Sequence, residues 1–367
     1  MKILTTFHPT PFCNLDCTYC WAPDRTTRHR MPLTIVEKTL EQVYSNCALE
    51  GNEILWLTGE PLVMGLDYFR SVVDLCRSTC PPSVQLSFVV QTNGTLIDES
   101  WCEFFRKNNF VVGVSIDGPQ VIHDAQRKTR SGHGTFMQAE RAISLLAQEG
   151  VRGGAICVIS RATLDLPPDE LFHFFYERGV AWSYLIEARI GENAGSATSV
   201  SMADRPRVET YISRLLDLWG QYPDSYVRIF DQTASRVFGG VRPKPDPDNL
   251  GCLDILNVSH DGTFFWGNPE LMSATRGRLR HVTGNVLRDH VWHIKSRPEF
   301  VLYQNEIHEG VAKCRASCAF FEGCQGGNPA HKYYEFGSFD RTEHTSCRIN
   351  DQVVQALMVQ KLGQHLQ

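Results

Sequence analysis

Three cysteines near the start of the chain have a spacing that suits metal chemistry. The stretch FCNLDCTYCWAP places Cys13, Cys17 and Cys20 in a Cys-x3-Cys-x2-Cys arrangement. Three thiolates can hold three irons of a [4Fe–4S] cube and leave the fourth iron open to a small chelating ligand. A structural zinc site would need a fourth ligand, for which His8 and His29 are the candidates. The spacing favours the iron–sulfur site and raises the question of what fills its open position.

The elements that must position these cysteines follow a regular alternation. Helical patterns separate short apolar runs, which predicts βα units around a parallel sheet in an α/β fold. An open doubly wound sheet and a partial (β/α)6 barrel both fit this alternation, and both collect ligands at the carboxyl ends of the strands. The cysteines follow the first run, which should deliver them to that edge. The runs lie at 3–7, 53–57, 84–91, 110–116, 153–160 and 181–187.

The first helix and the second half of the chain carry further local signals. Thr34 and Glu37 have the Thr-x-x-Glu spacing of a capping box. The proline-rich segment 241–251 cannot be helix or central strand and predicts a linker. We therefore expect a barrel domain over 1–240 and a second domain over 252–367. In that domain, His-Asp-Gly between two β-like runs predicts a hairpin, and a helix closes the chain.

Composition excludes several classes of protein. The formal net charge of −5 and the absence of a dense basic run argue against a nucleic-acid partner. No window approaches 18 consecutive apolar residues and no signal peptide is evident, so we expect a cytoplasmic protein with no membrane partner. Thirteen clustered cysteines in a large chain suit metal ligation in a reducing compartment better than a disulfide framework.

The cysteine motif with Tyr19 before its last Cys resembles the radical S-adenosylmethionine (SAM) enzymes. In that family the second strand is followed by Gly-Gly-Glu-Pro, which here reads Thr58, Gly59, Glu60 and Pro61. Gly59 lacks a Cβ and so permits a close approach of SAM. The resemblance implies a [4Fe–4S] cluster on the three cysteines with SAM at its open iron, and it assigns Tyr19, Thr58, Gly59 and Glu60 to cofactor binding.

Two further motifs match the peptide-modifying branch of the same family. QTNG ends the third strand and SIDG ends the fourth. By resemblance, Thr92, Asn93, Ser115 and Asp117 face SAM or the substrate. Arg127 matches an arginine placed near the SAM carboxylate, for which a guanidinium is well suited.

The cysteines of the C-terminal half resemble the SPASM extension of radical SAM peptide maturases, which in full form holds two auxiliary [4Fe–4S] clusters. Cys252 and Gly262 fit its beginning, but Gly267 and Asn328 stand where two ligands of one cluster should be. We expect that cluster to be absent. The resemblance implies one auxiliary [4Fe–4S] cluster, although the spacing alone would also allow zinc. Its ligands would be Cys314, Cys318, Cys324 and Cys347.

The resemblance also narrows the reaction. Sulfatase maturases have a Cys-Asp pair in the hairpin, with the Asp as base, whereas Gly267 is followed here by Asn268, which cannot take a proton at neutral pH. Most similar are the Grr-type maturases, which link an aromatic ring to a side-chain carbon two residues away and so close a three-residue cyclophane. SAM would split to give a 5′-deoxyadenosyl radical that takes a Cβ hydrogen, and Asp117, Glu187 and Glu270 are candidates for the base.

The expected partners are a ribosomally synthesised precursor peptide and an external one-electron donor of the flavodoxin or ferredoxin type. No separate peptide-recognition domain is expected before the first strand. Two alternatives remain: a radical SAM epimerase or oxidase acting on a peptide or small molecule, and a non-catalytic zinc-binding protein.

Overall fold

The computed structural model describes residues 1–187, 196, 198–239 and 252–363. The predicted linker 241–251 lies outside the described residues. The division into domains at that linker stays a prediction. No helix in the described part of the chain is long and apolar enough to cross a membrane.

The predicted parallel sheet is confirmed. Six strands pair in parallel with their sequence neighbours, in the order β6-β5-β4-β3-β2-β1. This order favours the partial barrel, since a doubly wound sheet reverses its strand order. The strands are β1 Lys2–His8, β2 Gly51–Trp56, β3 Gln85–Thr92, β4 Val111–Ser115, β5 Gly153–Ile159 and β6 Trp182–Ile186.

Helices connect these strands and cover the sheet with apolar faces. The barrel helices are α1 Leu33–Val43, α2 Leu66–Thr79, α3 Glu99–Lys107, α4 Gln120–Gln126, α5 Phe136–Gln148, α6 Pro168–Tyr176, α7 Arg205–Gln221 and α8 Arg228–Phe238. The capping box predicted for α1 is wrong. The helix begins at Leu33 after Pro32, which makes no side-chain cap hydrogen bond, so Thr34 already lies inside the first turn.

The predicted hairpin is confirmed, and it extends the sheet of the barrel. Strand β7 Ile255–Ser259 pairs in parallel with β1, and β8 Thr263–Trp266 and β9 Thr283–Asn285 follow antiparallel. Strand β1 therefore lies between β2 and β7, and the carboxyl end of β7 comes beside the cysteine loop. The remaining helices are α9 Pro298–Ser317, α10 Phe321–Cys324, α11 Pro329–Phe336 and, as predicted at the end of the chain, α12 Gln352–Gly363.

Candidate functional site

The loop that carries Cys13, Cys17 and Cys20 leaves the carboxyl end of β1 and is held by backbone hydrogen bonds. The Asp16 amide donates to the Lys128 carbonyl (2.7 Å) and the Thr18 amide donates to the Gln126 carbonyl (3.0 Å). The cysteine loop is therefore laid against the segment that contains Arg127. Two motifs more than 100 residues apart meet because β1 and β4 end at the same edge of the sheet.

The Thr58-Gly59-Glu60 turn packs directly beneath the cysteine loop. Thr58 and Gly59 have φ values of 73° and 63°. A Cβ on Gly59 would lie 2.4 Å from the Thr10 carbonyl oxygen and 2.6 Å from that of Phe12, so only glycine fits here. The Glu60 amide donates to the Phe12 carbonyl at 2.8 Å and joins the turn to the loop.

The Glu60 carboxylate is buried and organises the end of β3. Its Oε1 accepts from the Thr92 hydroxyl (2.7 Å) and the Leu62 amide (3.0 Å), and its Oε2 accepts from the Asn93 amide (2.8 Å). Burial raises the pKa of Glu60, although these hydrogen bonds oppose the rise. The Asn93 side-chain amide lies 3.8 Å from the Cys13 sulfur. Residues of the TGEP and QTNG motifs therefore lie together beside the first cysteine.

Asp117, at the end of β4, is the centre of a second buried network. It accepts two hydrogen bonds from the Arg127 guanidinium (3.0 and 3.1 Å) and one from the Tyr19 hydroxyl (2.6 Å). The Gln126 side chain and the Val158 amide donate to it as well. Because its oxygens are already occupied, this geometry favours a positioning role for Asp117 rather than that of a base.

Glu187 and Ser115 make hydrogen bonds to residues outside the cysteine loop. Glu187 Oε1 accepts from the hydroxyls of Ser196, Thr198 and Ser199, at 2.7 to 3.1 Å. Ser115 accepts from the Gln91 side-chain amide at 2.9 Å. The Oε1 atom of Glu187 is therefore engaged by these three hydroxyl groups.

Sequence reasoning missed Asn14, whose side-chain amide donates to Thr95 (2.8 Å) and whose oxygen accepts from Asn93 (2.8 Å). It also missed Gln126. Their only signal was their position beside motif residues.

The two histidines required by the zinc alternative are engaged elsewhere. His8 Nδ1 lies 2.7 Å from the Thr58 hydroxyl, and its Nε2 lies 3.1 Å from Asn257 Oδ1 on β7. Burial lowers the pKa of His8 to about 4, so the ring is neutral. His29 contacts His260 at 3.1 Å. This alternative is therefore not supported by the geometry of either histidine.

The three thiols themselves fit a site that supplies compensating positive charge. Burial, with Glu60 nearby, raises the pKa of Cys13 to about 12, and burial raises that of Cys17 to about 11. Thiolates are therefore disfavoured in this loop unless a cationic cluster binds them. The Leu15 amide already donates to the Cys13 sulfur at 3.4 Å, a contact typical of iron–sulfur ligands.

The four C-terminal cysteines line one common pocket. Cys314 lies in the last turn of α9, Cys324 ends α10, and the segment 342–352 closes the opposite wall. The His344 amide donates to the Cys347 sulfur at 3.4 Å, and Lys332 Nζ lies 3.5 Å from the Cys314 sulfur. Burial raises the pKa values of Cys324 and Cys347 to about 11 and about 12. Among the described residues, no three His, Cys, Asp or Glu side chains form a group that could hold a single metal ion.

Other contacts fill the surroundings of Gly267 and Asn328, the two positions where the resemblance to the SPASM extension expects cysteines. A Cβ on Gly267 would lie 2.3 Å from the Phe265 ring and 2.7 Å from the Tyr303 hydroxyl. Asn328 is the N-cap of α11, with its side chain accepting from the Ala330 amide (2.8 Å). It also hydrogen-bonds the side chain of Glu270. Phe265, Tyr303 and the Glu270–Asn328 pair therefore occupy these two positions.

A wide cavity opens between the cysteine loop and the hairpin. Its walls combine the ends of β1 and β2, the loop after Cys20, the hairpin turn and the segment after Glu270. Several hydroxyl side chains, two aspartates and an indole line it. The lining residues include His8, Thr58, Trp21, Asp24, His260, Asp261, Met272 and Ser273.

Fold and site together define an enzyme class that binds SAM at a cysteine-ligated [4Fe–4S] cluster. The sequence model of the radical SAM superfamily matches residues 7–167. The chain belongs to this superfamily, and membership implies SAM and the [4Fe–4S] cluster as cofactors. An uncharacterized protein of Synechocystis sp. is 30% identical over 99% of this chain and 92% of its own length.

Relatives with named activities and solved structures agree with this family. The cysteine-type anaerobic sulfatase-maturating enzyme of Clostridium perfringens is 27% identical over 86% of this chain and 85% of its own length. The structure of native anSMEcpe with bound AdoMet and Cp18Cys peptide has a TM-score of 0.78 at 23% identity, covering 100% of this chain and 99% of that one. Streptococcus suis SuiB bound to precursor peptide SuiA has a TM-score of 0.67 at 15% identity, covering 95% and 76%. These structures confirm the predicted fold of the radical SAM type.

Proposed function

We propose that this protein is a radical SAM peptide maturase that links an aromatic ring to the Cβ of a residue two positions away, closing a three-residue cyclophane. Similarity over most of the chain to an enzyme named for maturing sulfatases supports a peptide substrate. The observation that carries the finer proposal is the pair Gly267 and Asn268. Gly267 has no room for a cysteine, and Asn268 cannot serve as the base of formylglycine formation.

In the first site, different residues would bind the cluster and SAM. Cys13, Cys17 and Cys20 would bind three irons, and Gly59 and Glu60 would face the SAM amino group. Arg127 uses Nε and Nη2 for Asp117, which leaves its other N–H groups for the SAM carboxylate. When bound, SAM at the reduced cluster supplies a carbon radical that removes an unactivated hydrogen atom. Tyr19 and Asp117 hold Arg127 in place through the buried network.

The cross-link also requires that a proton and an electron leave the peptide. The hydrogen atom is lost from Cβ, the proton leaves the aromatic ring, and one electron is removed as the ring regains aromaticity. We assign the role of proton acceptor to Glu270. Burial raises its pKa, and its Oε2 is enclosed with no hydrogen-bond partner among the described residues. The acceptor of the electron would be the auxiliary cluster, held by Cys314, Cys318, Cys324 and Cys347.

The cavity beside the cysteine loop is our candidate for the peptide-binding cleft. Trp21 directly follows the last cluster cysteine, and Met272 and Ser273 follow Glu270 by only a few residues. A peptide in this cleft would therefore lie between the first cluster and the segment that follows Glu270. The Ser273 and Tyr334 hydroxyls, 2.5 Å apart, fix the wall next to Glu270 through the Glu270 carbonyl.

A second candidate is oxidation of a Cys or Ser side chain in a peptide, favoured by the similarity to both cysteine-type and serine-type sulfatase-maturating enzymes. It shares the first cluster and SAM. It differs in the product, which would be an aldehyde rather than a carbon–carbon bond.

The test uses anaerobically reconstituted and reduced protein with SAM and two peptide sets. One set carries aromatic-x-Asn triplets, including any peptide encoded beside the gene, and the other carries sulfatase-type Cys or Ser sites. We expect 5′-deoxyadenosine and, in the first set, a product lacking two hydrogens whose triplet resists fragmentation in tandem mass spectrometry. A hydrazine-reactive aldehyde in the second set alone would establish the second candidate.

The matched control is the triple variant Cys13→Ala, Cys17→Ala, Cys20→Ala. It should form no 5′-deoxyadenosine while it retains the iron of the C-terminal pocket. No SAM cleavage by iron-loaded wild-type protein would overturn both candidates.

A further inference from the structure

Lys332 is a buried lysine whose ammonium lies against a cysteine sulfur. It lies on α11, the side chain is enclosed and the residue is 2% exposed. Its Nζ lies 3.5 Å from the sulfur of Cys314. Within the described part of the chain, no carboxylate forms a salt bridge with its ammonium, whereas the similarly buried Arg127 is paired with Asp117.

A buried ammonium without a counter-ion is strongly unfavourable, because desolvation is not repaid by attraction. A neutral thiol on Cys314 would provide little compensation. Four thiolates around a [4Fe–4S] core leave a net negative charge in the pocket, and this charge is the counter-ion that Lys332 otherwise lacks.

We propose that Lys332 positions and tunes the auxiliary cluster, donating a hydrogen bond to the Cys314 sulfur and raising the reduction potential of the cluster. This inference rests on the proposed function, since it takes the four-cysteine pocket as an iron–sulfur site. A positive charge and an N–H donor at a ligand sulfur stabilise the reduced cluster, which holds one more electron. The cluster thereby becomes a better acceptor for the electron that the peptide must lose.

Other groups at the pocket do not replace Lys332. The His344 amide donates to the Cys347 sulfur but carries no net charge. Glu343 is paired with Arg348 at 2.9 Å, and Asp351, on the pocket wall, adds negative charge. The cationic contact to a ligand sulfur in the described pocket therefore comes from Lys332.

The chain offers a matched control in Lys313. It precedes Cys314 directly, but its ammonium is partly exposed and lies 2.8 Å from both Glu309 and Asp340. Lys313→Met removes the same formal charge at a similar place in the sequence, where solvent and two carboxylates screen it.

The experiment is a redox titration followed by electron paramagnetic resonance. The background is the triple variant Cys13→Ala, Cys17→Ala, Cys20→Ala, in which the auxiliary cluster alone gives the signal. We expect Lys332→Met to shift the midpoint potential to lower values, Lys332→Arg to retain most of the wild-type value, and Lys313→Met to have a much smaller effect. Equal potentials in Lys332→Met and Lys313→Met would overturn the inference.

A second readout needs no redox chemistry. In iron-free protein, Lys332→Met should unfold at a higher temperature than wild type, because an uncompensated buried charge has been removed, and it should gain less from cluster insertion. An unchanged or lower unfolding temperature of the iron-free variant would count against the inference. No iron in the triple-variant background would instead refute the auxiliary cluster itself, so the two failures are distinguishable.

Discussion

Asp117 and Arg127 form a buried ion pair through two hydrogen bonds, from Nε to Oδ2 at 3.0 Å and from Nη2 to Oδ1 at 3.1 Å. The pair joins the end of β4 to the segment that backs the cysteine loop. Tyr19, within the cysteine motif, completes it with a hydrogen bond of 2.6 Å to the same carboxylate. The geometry of the first cluster loop therefore depends on a contact that is distant in sequence.

Breaking this pair should destabilise the fold. Asp117→Asn leaves a buried guanidinium without its counter-ion, which typically lowers the free energy of unfolding by about 3 to 5 kcal/mol. The double variant Asp117→Asn, Arg127→Met should lose much less than the sum of the two single changes. Denaturant unfolding of the four proteins of this cycle measures the coupling, and additive losses would contradict it.

Two small substitutions in the Thr58–Gly59 turn should differ in the size of their effect on stability. Gly59→Ala should lower the free energy of unfolding by more than about 2 kcal/mol and impair iron uptake, because the new Cβ would overlap the Thr10 carbonyl in a left-handed conformation. Thr58→Gly should change it by less than about 1 kcal/mol, since relief of the positive φ offsets the lost hydrogen bond to His8. Chemical denaturation and iron analysis check both. Equal losses would show that packing at Gly59 is not the cause.

His8 should make stability depend on pH. Its folded-state pKa of about 4 lies below the ordinary histidine pKa of 6.5, so the unfolded chain binds a proton first as the pH falls. The contribution of the neutral ring is present above about pH 6.5 and is lost toward pH 4, by about 3 kcal/mol in total. The difference in unfolding free energy between wild type and His8→Gln, measured across this range, isolates the effect. A difference that does not vary with pH would argue against burial of the neutral ring.

Placing cysteines at positions 267 and 328 should not create a second auxiliary cluster. In Gly267→Cys, Asn328→Cys, the new Cβ at 267 would overlap the Phe265 ring, and Phe265 and Tyr303 fill the space around it. We expect about eight irons per chain, from two clusters, as in wild type. Cys314→Ala should reduce this to about four. A rise to about twelve in the double variant would show that the hairpin still accommodates a third cluster.

Glu270→Gln separates radical generation from product formation. The variant keeps the side-chain shape and the contact with Asn328 but cannot take a proton, so we expect 5′-deoxyadenosine to persist while cross-linked peptide falls by at least about tenfold. Glu187→Gln is the matched control, because Glu187 is held by hydroxyl groups of its own loop. Equal losses of cross-linked peptide in the two variants would contradict the assignment of Glu270 as the base.

Local signals predicted much of this molecule correctly. The six parallel strands were predicted from short apolar runs, and the hairpin was predicted from a Gly-containing turn between two such runs. Both signals depend only on residues that are close together in the sequence. The Thr34–Glu37 capping box failed because Pro32 already sets the extended conformation before α1. A Thr-x-x-Glu spacing can therefore fail to form a capping box when a neighbouring residue restricts the backbone.

Contacts between distant residues could not be predicted in the same way. The pairing of β7 with β1 brings Asn257 to His8, and through them connects Thr58 to the hairpin. Asn257 also donates to the Gly267 carbonyl at 2.7 Å. No periodicity or spacing specifies which edge of a sheet a hairpin will join.

The sequence by itself determined the spacing of the cysteines, the order of the βα units and the presence of Gly267 and Asn328 at positions where the resemblance expects cysteines, since these are properties of residue type and local position. Only the tertiary structure decided that Asp117 is hydrogen-bonded by Arg127 and Tyr19, that the Phe265 ring packs against Gly267, and that Lys332 lies against Cys314. Burial and strand order decide such contacts, and both arise from the packing of the whole chain.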